Sequence, residues 1–389
     1  MKKLALLTLA LSALFGSTLL FGTTTRLPVK RKSALHSSSL HRAKGHTNIA
    51  LHRSARRRRQ YNPWHLSSYG DSTFGDNPAG EDPVVRAAAV DALGRWNGSI
   101  AVVDPNTGRI LSIVNQKLAT ESAFTPCSTI KPITALAALK AGLITPDTKI
   151  RAERKLRAYG STNINLTQAL AHSSNVYFSK VGEMLGFDRL AEYARAFGLG
   201  EKTGENIPGE SAGRFPSEPP KEGGIGMLAY DGLSVDITAL QMAAYVSAIA
   251  NGGTLYALQY PRTAEEIAQF VPKIRRKLDN LIPFFGQVKE GLAASVLYGT
   301  GKSAFIPEEQ IFGKTGTCSE DGARLGWFAS YSGQQNHKYA VVVLLRGGRS
   351  MFGPHAAEIA GKFYHTMLQQ DAVRVSQMLP SSGPLMSGK

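Results

Sequence analysis

The sequence predicts an α/β fold: an antiparallel sheet flanked by helices, with an all-α lobe. Three observations predict it. A strand hairpin lies near residue 100, a long helical block occupies the middle, and three strands followed by one helix close the chain. Helices are thus segregated from a largely antiparallel sheet. At 389 residues the chain is long enough for one large domain plus extensions.

The hairpin comes first. Ser99-Ile100-Ala101-Val102-Val103 and Arg109 to Val114 are strand-like, and Asp104-Pro105-Asn106-Thr107-Gly108 between them is a turn sequence. A helix then runs from the stretch around Ser128 to about Ala141 and is closed by Gly142. From Asn163 to Phe197 apolar residues recur at helical spacing. Leu240 to Ala250 is another apolar helix, ended by Asn251-Gly252-Gly253, and Ile282 to Tyr298 a further one. The strands Ile311 to Cys318, Leu325 to Tyr331 and Tyr339 to Arg346 follow, each bounded by Gly, Asp or Asn. A last helix is expected over Pro354 to Gln369, with a disordered tail over 371–389.

The net charge of +16 suggests a nucleic-acid binder until its distribution is read. Residues 1–70 hold 13 Lys or Arg and no Asp or Glu, so 32 basic side chains face 29 acidic ones in the rest. The basicity therefore belongs to an N-terminal arm, and no nucleic-acid partner is expected. Met1-Lys2-Lys3 and the apolar run Leu4 to Gly22 make residues 1–22 a signal or anchor segment, read here as an uncleaved anchor. Arg26, Lys30, Arg31 and Lys32 just beyond it conflict with simple export under the positive-inside rule. Residues 23–97 read as a basic, flexible arm and linker. Arg56 to Arg59 could touch a membrane or an anionic envelope polymer, or serve only as a solvated linker.

Ser128 and Lys131 stand at i and i+3, on one face at the start of a helix. A serine hydroxyl is a poor nucleophile until a base takes its proton. A lysine one turn away can be that base if burial and neighbouring cations lower its pKa. The helix start also aims free N–H groups at an oxyanion formed there. Pro132 fits, because a first-turn N–H has no intrahelical partner to lose. Alone, the pair is also what a capping serine and a surface lysine would give. Ser173-Ser174-Asn175 interrupts two helical patterns, and alone it is an ordinary helix–helix connection. Gly313-Lys314-Thr315-Gly316-Thr317 opens the first of the three late strands, and alone it is a strand start with a bulge glycine. The scattered His residues show no metal-ligand spacing.

Together and in this order, the three resemble the Ser-x-x-Lys, Ser-x-Asn and Lys-Thr-Gly set of the penicillin-binding protein and serine β-lactamase superfamily. The resemblance covers residues 98–370, and the turn at 104–108, Asp231 to Val235 and Trp327-Phe328-Ala329 also fit it. It implies a penicillin-binding D,D-transpeptidase that acts on peptidoglycan stem peptides, is acylated by β-lactam antibiotics and needs no metal or cofactor. In that resemblance Ser128 attacks the carbonyl of the penultimate D-alanine and Lys131 takes its proton. The N–H groups of Ser128 and Thr317 form the oxyanion hole. Ser173 relays a proton to the departing D-alanine and Asn175 holds the peptide backbone. Lys314 lowers the pKa of the local bases, while Thr315 and Thr317, flanking Gly316, receive the substrate carboxylate. The resemblance further implies an extracytoplasmic catalytic domain in the cell envelope, anchored in the inner membrane or secreted. The chain is short for a membrane-bound transpeptidase, so either a cell-wall synthesis partner protein places it or it is an atypical member.

The same motifs serve a D,D-carboxypeptidase, a β-lactamase or a β-lactam sensor domain. Asn175 favours a transpeptidase over class D β-lactamases, which carry an apolar residue there. Class A enzymes have Asp where this chain has Ser174, together with a Glu-x-x-Leu-Asn loop that this chain lacks. Glu210 is the only acid near the expected region, and its Pro-Gly-Glu setting looks structural. The family pattern usually has Gly before the nucleophile, where this chain has Cys127, and the second cysteine, Cys318, directly follows Lys-Thr-Gly-Thr. If Ser128 and Thr317 face one oxyanion, as the resemblance implies, these outer neighbours fall within disulfide span. Some carbapenem-hydrolysing class A β-lactamases carry a disulfide in this arrangement. The alternative is a pair of buried free thiols.

Overall fold

The computed structural model describes residues 65–378 apart from 155–161, 222–223 and 334–338. The expected targeting segment, most of the arm and the end of the tail lie outside the described residues. The main sheet has five antiparallel strands in the order β2-β1-β9-β8-β7. The strands are β1 (Gly98–Val103), β2 (Ile110–Val114), β7 (Ile311–Glu320), β8 (Ala323–Ser332) and β9 (Ala340–Gly347). β1 and β2 form the expected hairpin, and Asp104 folds its turn by accepting from the Asn106 N–H and the Thr107 hydroxyl. Two short ribbons lie outside this sheet: β3 (Ile150–Arg151) with β4 (Asn163–Ile164), and β5 (Thr254–Tyr256) with β6 (Ile274–Lys277).

Both faces of the sheet are covered, which explains why its strands read as continuous apolar runs. Side chains alternate across a strand. Ala101 and Val103 of β1, with Val342 and Leu344 of β9, join the core under the helical lobe. Ile100 and Val102, with Val341 and Val343, join a second core on the opposite face. That second core is roofed by α1 (Pro83–Leu93) and the long C-terminal helix Gly353–Met378.

The helix α1 corrects the expectation that residues 23–97 are arm throughout. Asp82 caps it, accepting from the Val84 and Val85 N–H groups, and Pro83 sits at its first position. Val85, Ala88, Ala89, Ala92 and Leu93 are buried. Arg86 pairs with the buried carboxylates of Asp76 at 2.7 Å and Glu81 at 3.3 Å. Asp76 also accepts from the N–H groups of Asn115 and Gln116 at the end of the hairpin. The basic composition that marks the arm stops near residue 70, before this segment. At the other end, the last helix continues to Met378, past the residue 371 at which a disordered tail was expected.

The lobe is built on α2 (Gln116–Thr120), α3 (Lys131–Lys140), α4 (Leu166–Ala171), α5 (Asn175–Leu185), α6 (Phe187–Ala196), α7 (Gly224–Asp231) and α8 (Ala239–Ala250). Every residue of α8 is buried, as its all-round apolar sequence requires, and a capping box of Thr238 and Gln241 starts it. After α9 (Ala264–Ala268), α10 (Ile282–Leu297) completes the lobe, and α11 (Gly353–Met378) is the last element of the described residues. The helical stretch expected from Asn163 to Phe197 is three helices, broken at Ser173-Ser174 and Gly186.

Candidate active site

A 3-10 turn, Cys127–Ile130, leads directly into α3, so Ser128 and Lys131 share one continuous helical face. Lys131 is fully buried, which excludes a surface lysine. Its Nζ lies 3.0 Å from Ser128 Oγ, 2.8 Å from the Ser173 carbonyl, 3.1 Å from Ser173 Oγ and 2.7 Å from Asn175 Oδ1. Two of these partners, the carbonyl and the amide oxygen, can only accept. In a neutral amine they take both N–H bonds, and the lone pair is left for a serine hydroxyl. That arrangement suits a base for Ser128. The rings of Phe178 and Tyr230 stand 5.7 and 5.9 Å from Nζ and shield it from water. Asp231, at the end of α7, has its carboxyl held above the usual range by burial, with nearby Lys131 opposing that shift when charged.

The second piece is shaped by strain and capping. Ser173 has φ +53°, a left-handed conformation that a non-glycine residue adopts at some cost. Ser174 then caps α5, accepting from the Tyr177 N–H at 3.1 Å. Its hydroxyl donates to Glu153 Oε2 at 2.7 Å, and Glu153 Oε1 accepts from the Val176 N–H at 3.0 Å. Burial pushes the Glu153 carboxyl up, but the hydrogen bonds from Ser174, Val176 and neighbouring backbone outweigh it and hold it below the usual range. Sequence reading missed Glu153. It is the one acid in the basic run Ile150 to Arg157, and nothing in its spacing points to residue 174.

The third piece lies on β7, an edge strand of the main sheet. Lys314 is buried, with Nζ 2.8 Å from Ser173 Oγ and 2.9 Å from the Thr315 carbonyl. Ser173 Oγ therefore sits between the two lysine amines. Thr315 Oγ1 meets Thr300 Oγ1 at 2.6 Å. Thr317 Oγ1 accepts from the Gly353 N–H at 2.8 Å, so its own proton stays free to donate. The two glycines of this stretch are dictated by neighbours. A Cβ on Gly313 would stand 2.3 Å from the Phe328 ring, and one on Gly316 would stand 2.9 Å from the Pro126 carbonyl.

The loop before Ser128 is pinned to the sheet at three points. Cys127 and Cys318 form a disulfide with Cα atoms 5.7 Å apart. Trp327 Nε1 donates to the Thr125 carbonyl at 3.0 Å, and the Thr125 N–H donates to Glu320 at 2.9 Å. Cys127 itself has φ +52°. Glycine adopts that conformation freely, which accounts for a glycine as the usual residue there.

Burial pushes the Lys314 amine down to about 7. An unfolded lysine titrates near about 10.4. Between these values the unfolded chain holds the extra proton, so stability rises with pH; below about 7 both states are charged and the full desolvation cost remains. Lys314→Met is therefore expected to resist urea better than the parent at about pH 6, with the gap closing towards about pH 10. A gap independent of pH would contradict this.

Comparison with known proteins agrees with the geometry. The family model of the penicillin binding protein transpeptidase domain matches residues 98–365. Penicillin-binding protein PbpB of Mycolicibacterium smegmatis is 27% identical over 76% of this chain and 53% of its own length. Peptidoglycan D,D-transpeptidase MrdA of Acinetobacter baumannii is 25% identical over 82% of this chain and 56% of its own. Stage V sporulation protein D of Bacillus subtilis is 32% identical over 54% of this chain and 35% of its own. The chain spans about half, or less, of the length of these curated relatives. The matched span runs from the first strand of the hairpin into the last helix and contains all three motifs, so the chain belongs to the penicillin-binding protein transpeptidase domain family.

Proposed function

We propose that the chain is a serine D,D-transpeptidase of peptidoglycan stem peptides, acylated by β-lactams. The observation that carries this reading is the Lys131 amine, buried and 3.0 Å from Ser128 Oγ. Lys131 takes the Ser128 proton as Oγ bonds to the carbonyl carbon of the penultimate D-alanine. The N–H groups of Ser128 and Thr317 receive the negative charge on oxygen. The C–N bond then breaks, and the departing D-alanine takes a proton passed through Ser173. Lys314, which faces Ser173 Oγ from the other side, favours that transfer. Asn175 holds the peptide backbone, and the free hydroxyl protons on the Thr315 and Thr317 side bind the terminal carboxylate beside Gly316. An acceptor amine from a second stem then bonds to the acyl carbon and loses a proton to Lys131; the bond from that carbon to Ser128 Oγ breaks, and Lys131 returns the proton to Oγ.

A β-lactamase would need a base for deacylation. Glu210, the acid that the sequence places nearest, spends its carboxylate on the Thr203 hydroxyl and the N–H groups of Thr203 and Gly204. It folds its own turn and is not available. On this reading the catalytic domain acts on the extracytoplasmic side of the envelope, and the basic residues of the N-terminal arm are the ones that would meet a membrane or an anionic polymer. Among the described residues no helix is long and apolar enough to cross a membrane.

The test uses a labelled penicillin and a stem peptide ending in D-alanyl-D-alanine. A lasting adduct, with D-alanine release and transfer to an added acceptor amine, supports the reading. Rapid release of hydrolysed penicillin would replace it with a β-lactamase. A lasting adduct without D-alanine release would indicate a sensor.

A further inference from the structure

Glu153 belongs to none of the three motifs, yet it holds the loop that carries two of their residues. We propose that Glu153 is a positioning residue for acylation, acting through Ser174 and the Val176 N–H to set Ser173 and Asn175 against Lys131. The inference rests on the transpeptidase reading above.

The Ser174 hydroxyl has one proton. It goes to Glu153 Oε2, and an Oγ lone pair then accepts from the Tyr177 N–H. One carboxylate thus orients the cap of α5, and its second oxygen takes the Val176 N–H in the first turn. An anion is favoured at a helix N-terminus, where N–H groups lack intrahelical partners. Asn175 is the first residue of that helix, and its Oδ1 lies 2.7 Å from Lys131 Nζ. Ser173, one residue before the cap, keeps its left-handed backbone only while its surroundings impose it. Without Glu153 the Ser174 hydroxyl can turn, the first turn of α5 loosens, and the two contacts that direct the Lys131 amine drift. The carboxylate stays ionised, and so acceptor-only, because its hydrogen bonds outweigh its burial.

The experiment uses the full chain and fluorescently labelled benzylpenicillin. Glu153→Ala is expected to lower the maximal acylation rate by about 10²-fold, the scale of a misplaced catalytic group, with little change in the concentration giving half the maximal rate. Glu153→Gln should retain part of the rate, since its amide oxygen still accepts one of the two bonds. In an Asn175→Ala background Glu153→Ala should cost little more, because both act on the same contact. Amide exchange over residues 173–177 should quicken in Glu153→Ala. Additive losses in the double variant, or unchanged exchange, would overturn the proposal. A parent chain that takes no label would overturn the functional reading itself, and exchange then decides the Glu153 contact alone.

Discussion

Lys131→Met is expected to slow acylation of Ser128 by about 10²–10⁴-fold, the usual contribution of a positioned general base. Methionine nearly matches the lysine stem in volume, and the site is fully buried, so the helix should keep its packing. What is lost is the amine 3.0 Å from Ser128 Oγ. Lys314 cannot replace it, since its amine is directed at Ser173 Oγ and the Thr315 carbonyl. The measurement is the acylation rate with labelled penicillin at saturation, beside a denaturation curve. Parent-like acylation in a folded Lys131→Met chain would remove Lys131 as the base and direct attention to Ser173.

Removing the disulfide is expected to cost about 2–5 kcal/mol, because the bridge closes a long loop in the unfolded chain. Its two cysteines are 191 residues apart in sequence. The replacement at position 127 matters as well as the loss of the bridge. With φ +52° there, Cys127→Gly combined with Cys318→Ala should be more stable than Cys127→Ala combined with Cys318→Ala, by about 1–2 kcal/mol. Urea midpoints of the two double variants test this. Equal midpoints would show that position 127 carries no backbone strain. Acylation should fall in both, because the bridge joins the serine turn to the strand that carries Thr317.

Much of this architecture was legible from local chemistry. The turn sequence at 104–108 and the strands around it gave the hairpin, and the apolar runs in the late strands follow from a sheet covered on both faces. The three motifs were legible only as a set, since each alone has an ordinary structural explanation. The convergence of Lys131, Ser173, Asn175 and Lys314 joins three distant stretches, which no periodicity encodes. Helix α1 was obscured by the basic composition upstream, although Asp82-Pro83 is a start signal. Glu153 was invisible because its partners are a cap and a backbone N–H brought to it by folding. The sequence could not show that Cys127 takes a left-handed backbone, the conformation that suits the glycine of the family pattern described above.

The central claim is that Ser128 becomes acylated. Its most direct test is intact-mass analysis of the chain after incubation with benzylpenicillin, followed by peptide mapping of the adduct. The account predicts one added penicilloyl group, mapped to Ser128 and absent from Ser128→Ala. No adduct on the folded parent chain, or an adduct that persists in Ser128→Ala, would contradict it.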